Sequence, residues 1–197
     1  PVLSGTALSV SPLYNDSTVT CSATAADPDE TVSITYQWTL DGIFVGSTDT
    51  VDLSVTSAIP AEPLVCTASV TDAQGATATE TASAIIANRL PSAPSITISP
   101  ASPQATQDDL VCLLTTPSVD PDGETVSYTY SWTVNGASTA YTTDTIPAAV
   151  TDFAETWICT VTPYDSTGSG TSTSMSVTTS SSACTIDSSV FPVTVSS

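Results

Sequence analysis

From Val32 to Leu40 every second position is apolar, with Val32, Ile34, Tyr36, Trp38 and Leu40 separated by Ser33, Thr35, Gln37 and Thr39. The pattern returns at Val126, Tyr128, Tyr130, Trp132 and Val134, again with small polar residues between. Alternation of this length predicts a strand with one face buried and one face wet. Each strand follows an acidic turn, Asp27-Pro28-Asp29-Glu30 in one copy and Asp120-Pro121-Asp122-Gly123-Glu124 in the other. Each also carries a tryptophan and lies between two cysteines.

Other segments match in the same order. Ala7-Leu8-Ser9-Val10, ending in Ser11-Pro12, corresponds to Ile96-Thr97-Ile98, ending in Ser99-Pro100. Val19-Thr20-Cys21-Ser22-Ala23 corresponds to Leu110-Val111-Cys112-Leu113-Leu114, with the cysteine on the apolar face. Leu64-Val65-Cys66-Thr67-Ala68 corresponds to Trp157-Ile158-Cys159-Thr160-Val161. Beyond each second cysteine, Asp72 with Gly75 and Asp165 with Gly168 predict a hairpin turn, followed by closing strands from Ala76 to Ile86 and from Thr171 to Val177. A near-constant offset between copies marks a tandem duplication of one domain. The predicted organisation is a first domain at 1–88, a proline-stiffened linker at 89–94, a second domain at 95–180 and a C-terminal strand segment at 181–197.

Composition supports strands over helices. Ser and Thr supply 68 of 197 residues, while Lys is absent and Arg and Met occur once each. No apolar run approaches the length of a membrane helix, so direct membrane insertion is not expected. The charge changes the picture further: 20 acidic residues face the single cation Arg89, for a net charge of −19. Such a chain repels nucleic-acid phosphates and anionic lipid surfaces. A start at Pro1 is read as a mature or excised piece of a longer precursor. Five cysteines in a chain of this kind suggest an oxidising, extracellular or cell-surface setting. Asn15-Asp16-Ser17 fits the N-glycosylation acceptor pattern, which makes Asn15 a candidate site.

The order Cys, then Trp, then Cys resembles the immunoglobulin-like sandwich. The Asp-Pro-Asp turn, the Tyr-x-Trp strand and the Asp-x-x-Gly hairpin are closer to the bacterial and archaeal cell-surface versions, including polycystic-kidney-disease-type repeats. Antibody domains place a tyrosine two residues before the second cysteine; here those positions hold Leu64 and Trp157. The resemblance implies an all-β chain of two tandem Greek-key sandwiches, each with one inter-sheet disulfide and a core tryptophan, Trp38 or Trp132. The implied pairs are Cys21 with Cys66 and Cys112 with Cys159, the alternative being buried free thiols. Each bridge would close a loop of nearly fifty residues, a constraint of ~4 kcal/mol in the chain-entropy picture.

The tail departs from the repeat. Cys184 is the odd cysteine and a candidate intermolecular thiol. Val190, Phe191, Val193 and Val195 form one more strand-like alternation, interrupted by Pro192. Two readings stay open: an added edge strand or the start of a further repeat, and a strand donated to a neighbouring subunit.

Common catalytic chemistry finds no footing. Without His or Lys, no base is at hand to activate the many hydroxyls, and no cation to lower a thiol pKa. Carboxylates recur in the same turns of both copies, which suits scaffold better than one active site. Hard oxygen ligands point to Ca²⁺ in place of zinc or copper. Asp120, Asp122, Glu124 and Asp165 are expected to gather near Asn88, where a Ca²⁺ would lock the junction between domains. The alternative is that these acids only solvate turns and cap amides.

The expectation is therefore a non-catalytic extracellular structural module. It would be a subunit of a surface filament or a stalk segment of an adhesin, whose partners are copies of itself or neighbouring repeats. The alternative is a carbohydrate- or protein-binding module acting through loop aromatics, with Tyr14, Phe44, Tyr141, Phe153 and Tyr164 as candidates.

Overall fold

A computed structural model describes residues 1–181. The described residues form two compact units, one of Pro1–Leu90 together with Asp120–Glu124, the other of Pro91–Val119 with residues 125–181. No helix among the described residues is long and apolar enough to cross a membrane.

In the first unit the strands are β1 (Val2–Leu8), β2 (Thr18–Ala26), β3 (Ile34–Leu40), β4 (Ile43–Gly46), β5 (Thr50–Asp52), β6 (Pro63–Thr71) and β7 (Thr77–Ile85). They make two antiparallel sheets in the orders β1-β2-β5 and β4-β3-β6-β7. The second unit repeats the plan with β8 (Ser95–Ser99), β9 (Leu110–Thr116), β10 (Ser127–Val134), β11 (Ala137–Ser138), β12 (Thr145–Ile146), β13 (Thr156–Tyr164) and β14 (Thr173–Thr178). Its sheets run β8-β9-β12 and β11-β10-β13-β14. Three strands facing four, with the fourth strand attached to the tryptophan sheet, is an immunoglobulin-like sandwich.

The predicted period holds where it matters. Along β3, Trp38 and Leu40 are buried while Thr35 and Gln37 are exposed. Trp38 lies opposite Cys66 on β6, and Trp132 opposite Cys159 on β13. The sulfur bridges are Cys21–Cys66 and Cys112–Cys159, as the resemblance implied. Each joins the three-stranded sheet to the four-stranded one. Around them pack Leu13, Val19, Val51, Leu53 and Leu64 in the first unit, and Ile96, Ile98, Leu110, Ile146 and Val161 in the second. The indole nitrogen of Trp38 donates to the Thr48 carbonyl at 2.8 Å, and that of Trp132 to the Thr143 carbonyl at 2.9 Å. A buried indole keeps its polar edge satisfied in both copies.

Tight hairpins register the tryptophan strands. Asp41-Gly42 and Asn135-Gly136 link β3 to β4 and β10 to β11, all four with positive φ. That is the backbone a two-residue primed turn requires, and the reason Gly follows Asp or Asn there. The expected Asp-x-x-Gly hairpins also form, with Gly75 N–H donating to the Asp72 carbonyl at 3.1 Å and Asp165 N–H to the Gly168 carbonyl at 3.0 Å.

One expected boundary is corrected. The opening strand covers Val2–Leu8 and stops before Val10, where the sequence pattern had placed it over Ala7–Val10. An irregularity between Ser4 and Ala7, with Gly5 at φ 72°, breaks the alternation and hides the earlier half. Leu3 is buried there in a small separate cluster with Ala68 and Val70.

Replacing Cys21 and Cys66 together by Ala should weaken the first unit by about 4 kcal/mol, because the closed loop spans 45 residues. Denaturant unfolding checks this: one transition should move to lower denaturant, and the other, from the second unit, should stay.

Candidate functional site

The acidic turn Asp120–Glu124 is where charged groups are most concentrated out of water. Asp120 and Asp122 are only 7% and 9% exposed. The turn is built locally. Asp120 Oδ1 accepts the backbone N–H of Asp122 at 2.8 Å and of Glu124 at 3.3 Å, while Gly123 N–H donates to the Asp120 carbonyl at 3.2 Å. An aspartate folding its side chain onto amides two and four residues on is the usual chemistry of such turns. The result brings carboxylate oxygens of Asp120, Asp122 and Glu124 within 4.8 Å of one another.

Arg89 holds this turn from the same unit. Its Nε donates to Asp122 Oδ1 at 2.8 Å, its backbone N–H to Asp122 Oδ2, and its Nη1 to Asp16 Oδ2 at 2.9 Å. Nη2 donates to Asn15 Oδ1 at 2.9 Å and to the Pro121 carbonyl at 3.1 Å. The guanidinium carbon stands 4.8 Å over the Tyr14 ring, a cation–π contact. Asn15 completes the clasp by donating its amide to the Asp122 carbonyl at 2.9 Å. Burial works against the guanidinium charge, but the hydrogen bonds and charges of Asp16 and Asp122 outweigh it and raise the pKa above the ordinary arginine value. The one basic side chain of the protein is thus spent on a carboxylate whose side chain is fully buried.

The predicted calcium ligands divide. Asp120, Asp122 and Glu124 come together, and Asn88 belongs to the same unit. Asp165 belongs to the other unit, where its Oδ1 accepts Thr167 N–H and Gly168 N–H, each at 2.7 Å, in its own hairpin. The two Asp-Pro-Asp turns are not equivalent either. Asp27 Oδ1 caps Asp29 and Glu30 as Asp120 caps its turn, but it is Asp122 of the second turn that receives the Arg89 guanidinium. The Asn15 amide nitrogen, the atom that a glycan would modify, is engaged with Asp122. Cys184 and the alternation at Val190, Phe191, Val193 and Val195 lie outside the described residues.

The candidate loop aromatics are divided between the units, Tyr14 and Phe44 in the first and Tyr141, Phe153 and Tyr164 in the second. Phe44 and Phe153 are exposed in separate units, Tyr141 packs against the second core, and Tyr14 lies under Arg89. Sequence reasoning missed the role of Arg89, seen only as a lone charge in a linker. Its signal was that one cation among 20 acids must go where a carboxylate is hardest to leave unpaired. It also missed Trp157, which meets Trp132 edge-on at 6.5 Å and donates its indole N–H to Glu155 at 3.0 Å.

No protein-family model matches the sequence, and no curated protein matches it. Among solved structures the chain is similar to the FN1–FN3 domains of chicken CNTN1, at 13% identity and TM-score 0.39, covering 89% of this chain and 66% of that one. It is similar to the chicken interferon gamma receptor alpha chain at 11% identity and TM-score 0.42, covering 91% and 98%. It is also similar to the fibronectin(III)-like modules of Clostridium thermocellum CbhA, at 13% identity and TM-score 0.30, covering 91% and 95%. The sheet orders and the inter-sheet bridges define the class: a tandem pair of disulfide-braced immunoglobulin-like sandwiches.

Replacing Arg89 by Ala should destabilise the first unit by about 3 kcal/mol, because Asp122 is left buried without its cation. Arg89→Lys restores the charge but not the forked donors, and should recover only part of that loss. Urea unfolding of the three proteins side by side checks the order.

Proposed function

We propose that this protein is a non-catalytic extracellular structural module, working as a filament subunit or as a stalk segment that joins end to end with further copies. The observation that carries the reading is the repetition of one sandwich in which a buried bridge ties sheet to sheet beside a buried tryptophan. Covalent bracing of each core resists separation of the sheets, and disulfides persist in oxidising surroundings. The near absence of basic residues also deprives proteases that cleave after Lys or Arg of sites.

Assembly has a place to begin. β7 is the outer strand of its sheet, and an open groove of about 510 Å³ runs beside it, lined by Leu8, Val10, Leu13, Ala82 and Ala84 among others. An extended segment with alternating apolar residues could add to such an edge. The segment that fits by sequence is the tail, with Phe191, Val193 and Val195 on one side, supplied by a second copy.

A second reading rests on β4. Ile43 and Phe44 are 71% and 59% exposed on this edge strand, where the second repeat has the small residues Ala137 and Ser138. An exposed apolar edge is a surface for a protein partner.

Negative-stain microscopy and size-exclusion chromatography of the whole chain, of a chain ending at Ser181 and of Cys184→Ser test the reading. Chains of repeats from the whole protein, lost on truncation, are expected. Monomers from the whole protein at high concentration would remove the filament reading and leave the stalk. If Cys184→Ser alone abolishes assembly, the tail acts through its thiol and not through strand addition.

A further inference from the structure

We propose that the turn Asp120–Glu124 is a Ca²⁺ site, with Asp120, Asp122 and Glu124 each supplying carboxylate oxygen. The proposal does not depend on the mechanical reading, and filament formation could fail without affecting it.

The first observation is the geometry. Three carboxylates offer oxygens within 4.8 Å of one another. Two oxygens on opposite sides of a Ca²⁺, with bonds of about 2.4 Å, stand about 4.8 Å apart. Mg²⁺ gives up its water reluctantly and is usually held by only one or two carboxylates, so three favour Ca²⁺. The donors are all hard oxygens, which disfavours zinc and copper.

The second observation is independent of the clustering. Asp120 is more than nine-tenths buried, and its two oxygens differ: Oδ1 holds the turn through two amides, while Oδ2 is buried with no hydrogen-bond partner. A carboxylate oxygen withdrawn from water with nothing to face it is costly, and native proteins rarely leave one so. Capping of the turn accounts for Oδ1 and leaves Oδ2 unexplained. A cation among the three carboxylates would account for it.

Charge gives the same answer. Asp16, Asp120, Asp122 and Glu124 share one guanidinium, which leaves a net negative charge that a divalent ion would offset. Arg89 engages both oxygens of Asp122, through Nε on Oδ1 and its backbone N–H on Oδ2, so Asp122 would meet the ion through the remaining lone pairs of those oxygens. The guanidinium lies on Asp122 and on the exposed Asp16, and its hydrogen bonds fix Asp122 in place. Among the described residues, the matching acids of the first repeat, Asp27, Asp29 and Glu30, do not bring three oxygens together in this way. Water ligands complete a coordination shell of six to eight.

The test is calorimetric titration of CaCl₂ into the whole chain stripped with EDTA, carried to about 10 mM because extracellular Ca²⁺ modules bind weakly. One ion per chain is expected. Asp120→Asn keeps Oδ1 for the two amides and removes the charge, and should weaken binding at least tenfold. Asp27→Asn, in the matching turn, should bind as the parent does. Thermal unfolding supplies a readout that a merely structural role would not move. In EDTA, Asp120→Asn should melt at or above the parent, since a buried unpaired charge is gone; with Ca²⁺ the order should reverse. If that variant does not fold, Glu124→Gln is read in its place, with the same loss of affinity expected. No heat from the parent up to the highest concentration overturns the site. So does equal binding by Asp120→Asn, and equal affinity for MgCl₂ overturns the assignment to Ca²⁺.

Discussion

A tryptophan pressed beside a sulfur bridge is the constraint from which each repeat is built. Trp38 sits opposite Cys66 and Trp132 opposite Cys159, all four buried. The bridge fixes the spacing of the two sheets, and the indole fills the space beside it. Once those are placed, the register of the four-stranded sheet follows: the strand before the second cysteine strand must present its apolar face inward, and a one-residue slip would turn it to water. The remaining core, from Val19 to Leu64 in one unit and from Ile96 to Val177 in the other, closes around that centre.

Electrostatics is a second constraint. With a single basic side chain, the chain has few ion pairs with which to hold its loops, and it relies largely on Ser and Thr hydroxyls and on aspartates that cap amides. Thr151, 1% exposed, shows the pattern: its hydroxyl accepts the Thr106 N–H at 3.0 Å and donates to the Ala148 carbonyl at 3.0 Å. Thr179 does the same work between Glu155 and Asp152. Against that background Arg89 stands apart, because it binds two carboxylates, an amide and a carbonyl at once.

The strands carrying Trp38 and Trp132, both cysteine strands of each repeat and the Asp-x-x-Gly hairpins were all legible, because a half-buried strand writes its burial into alternate positions. β1 was legible only in part, since the irregularity at Gly5 interrupts the alternation. β5 and β12 left no signal at all; strands of three and two residues are shorter than any period can show. At the candidate site, the clustered acids of the second turn were legible, because they lie within five residues of one another. The role of Arg89 was missed because its carboxylate partners, Asp122 and Asp16, stand 33 and 73 positions away along the chain.

Sequence alone determined the class of fold and the duplication, because periodicity and order along the chain are local properties that packing merely reads out; the cysteine pairing was implied by the resemblance and is seen in the structure. Only the tertiary structure decided the different fates of two nearly identical acidic turns. In the second, Asp122 is clasped by an arginine 33 residues away and oxygens of Asp120, Asp122 and Glu124 come together; among the described residues the acids of the first do not cluster so. A carboxylate carries the same charge in either copy, and what surrounds it in space sets what it can bind.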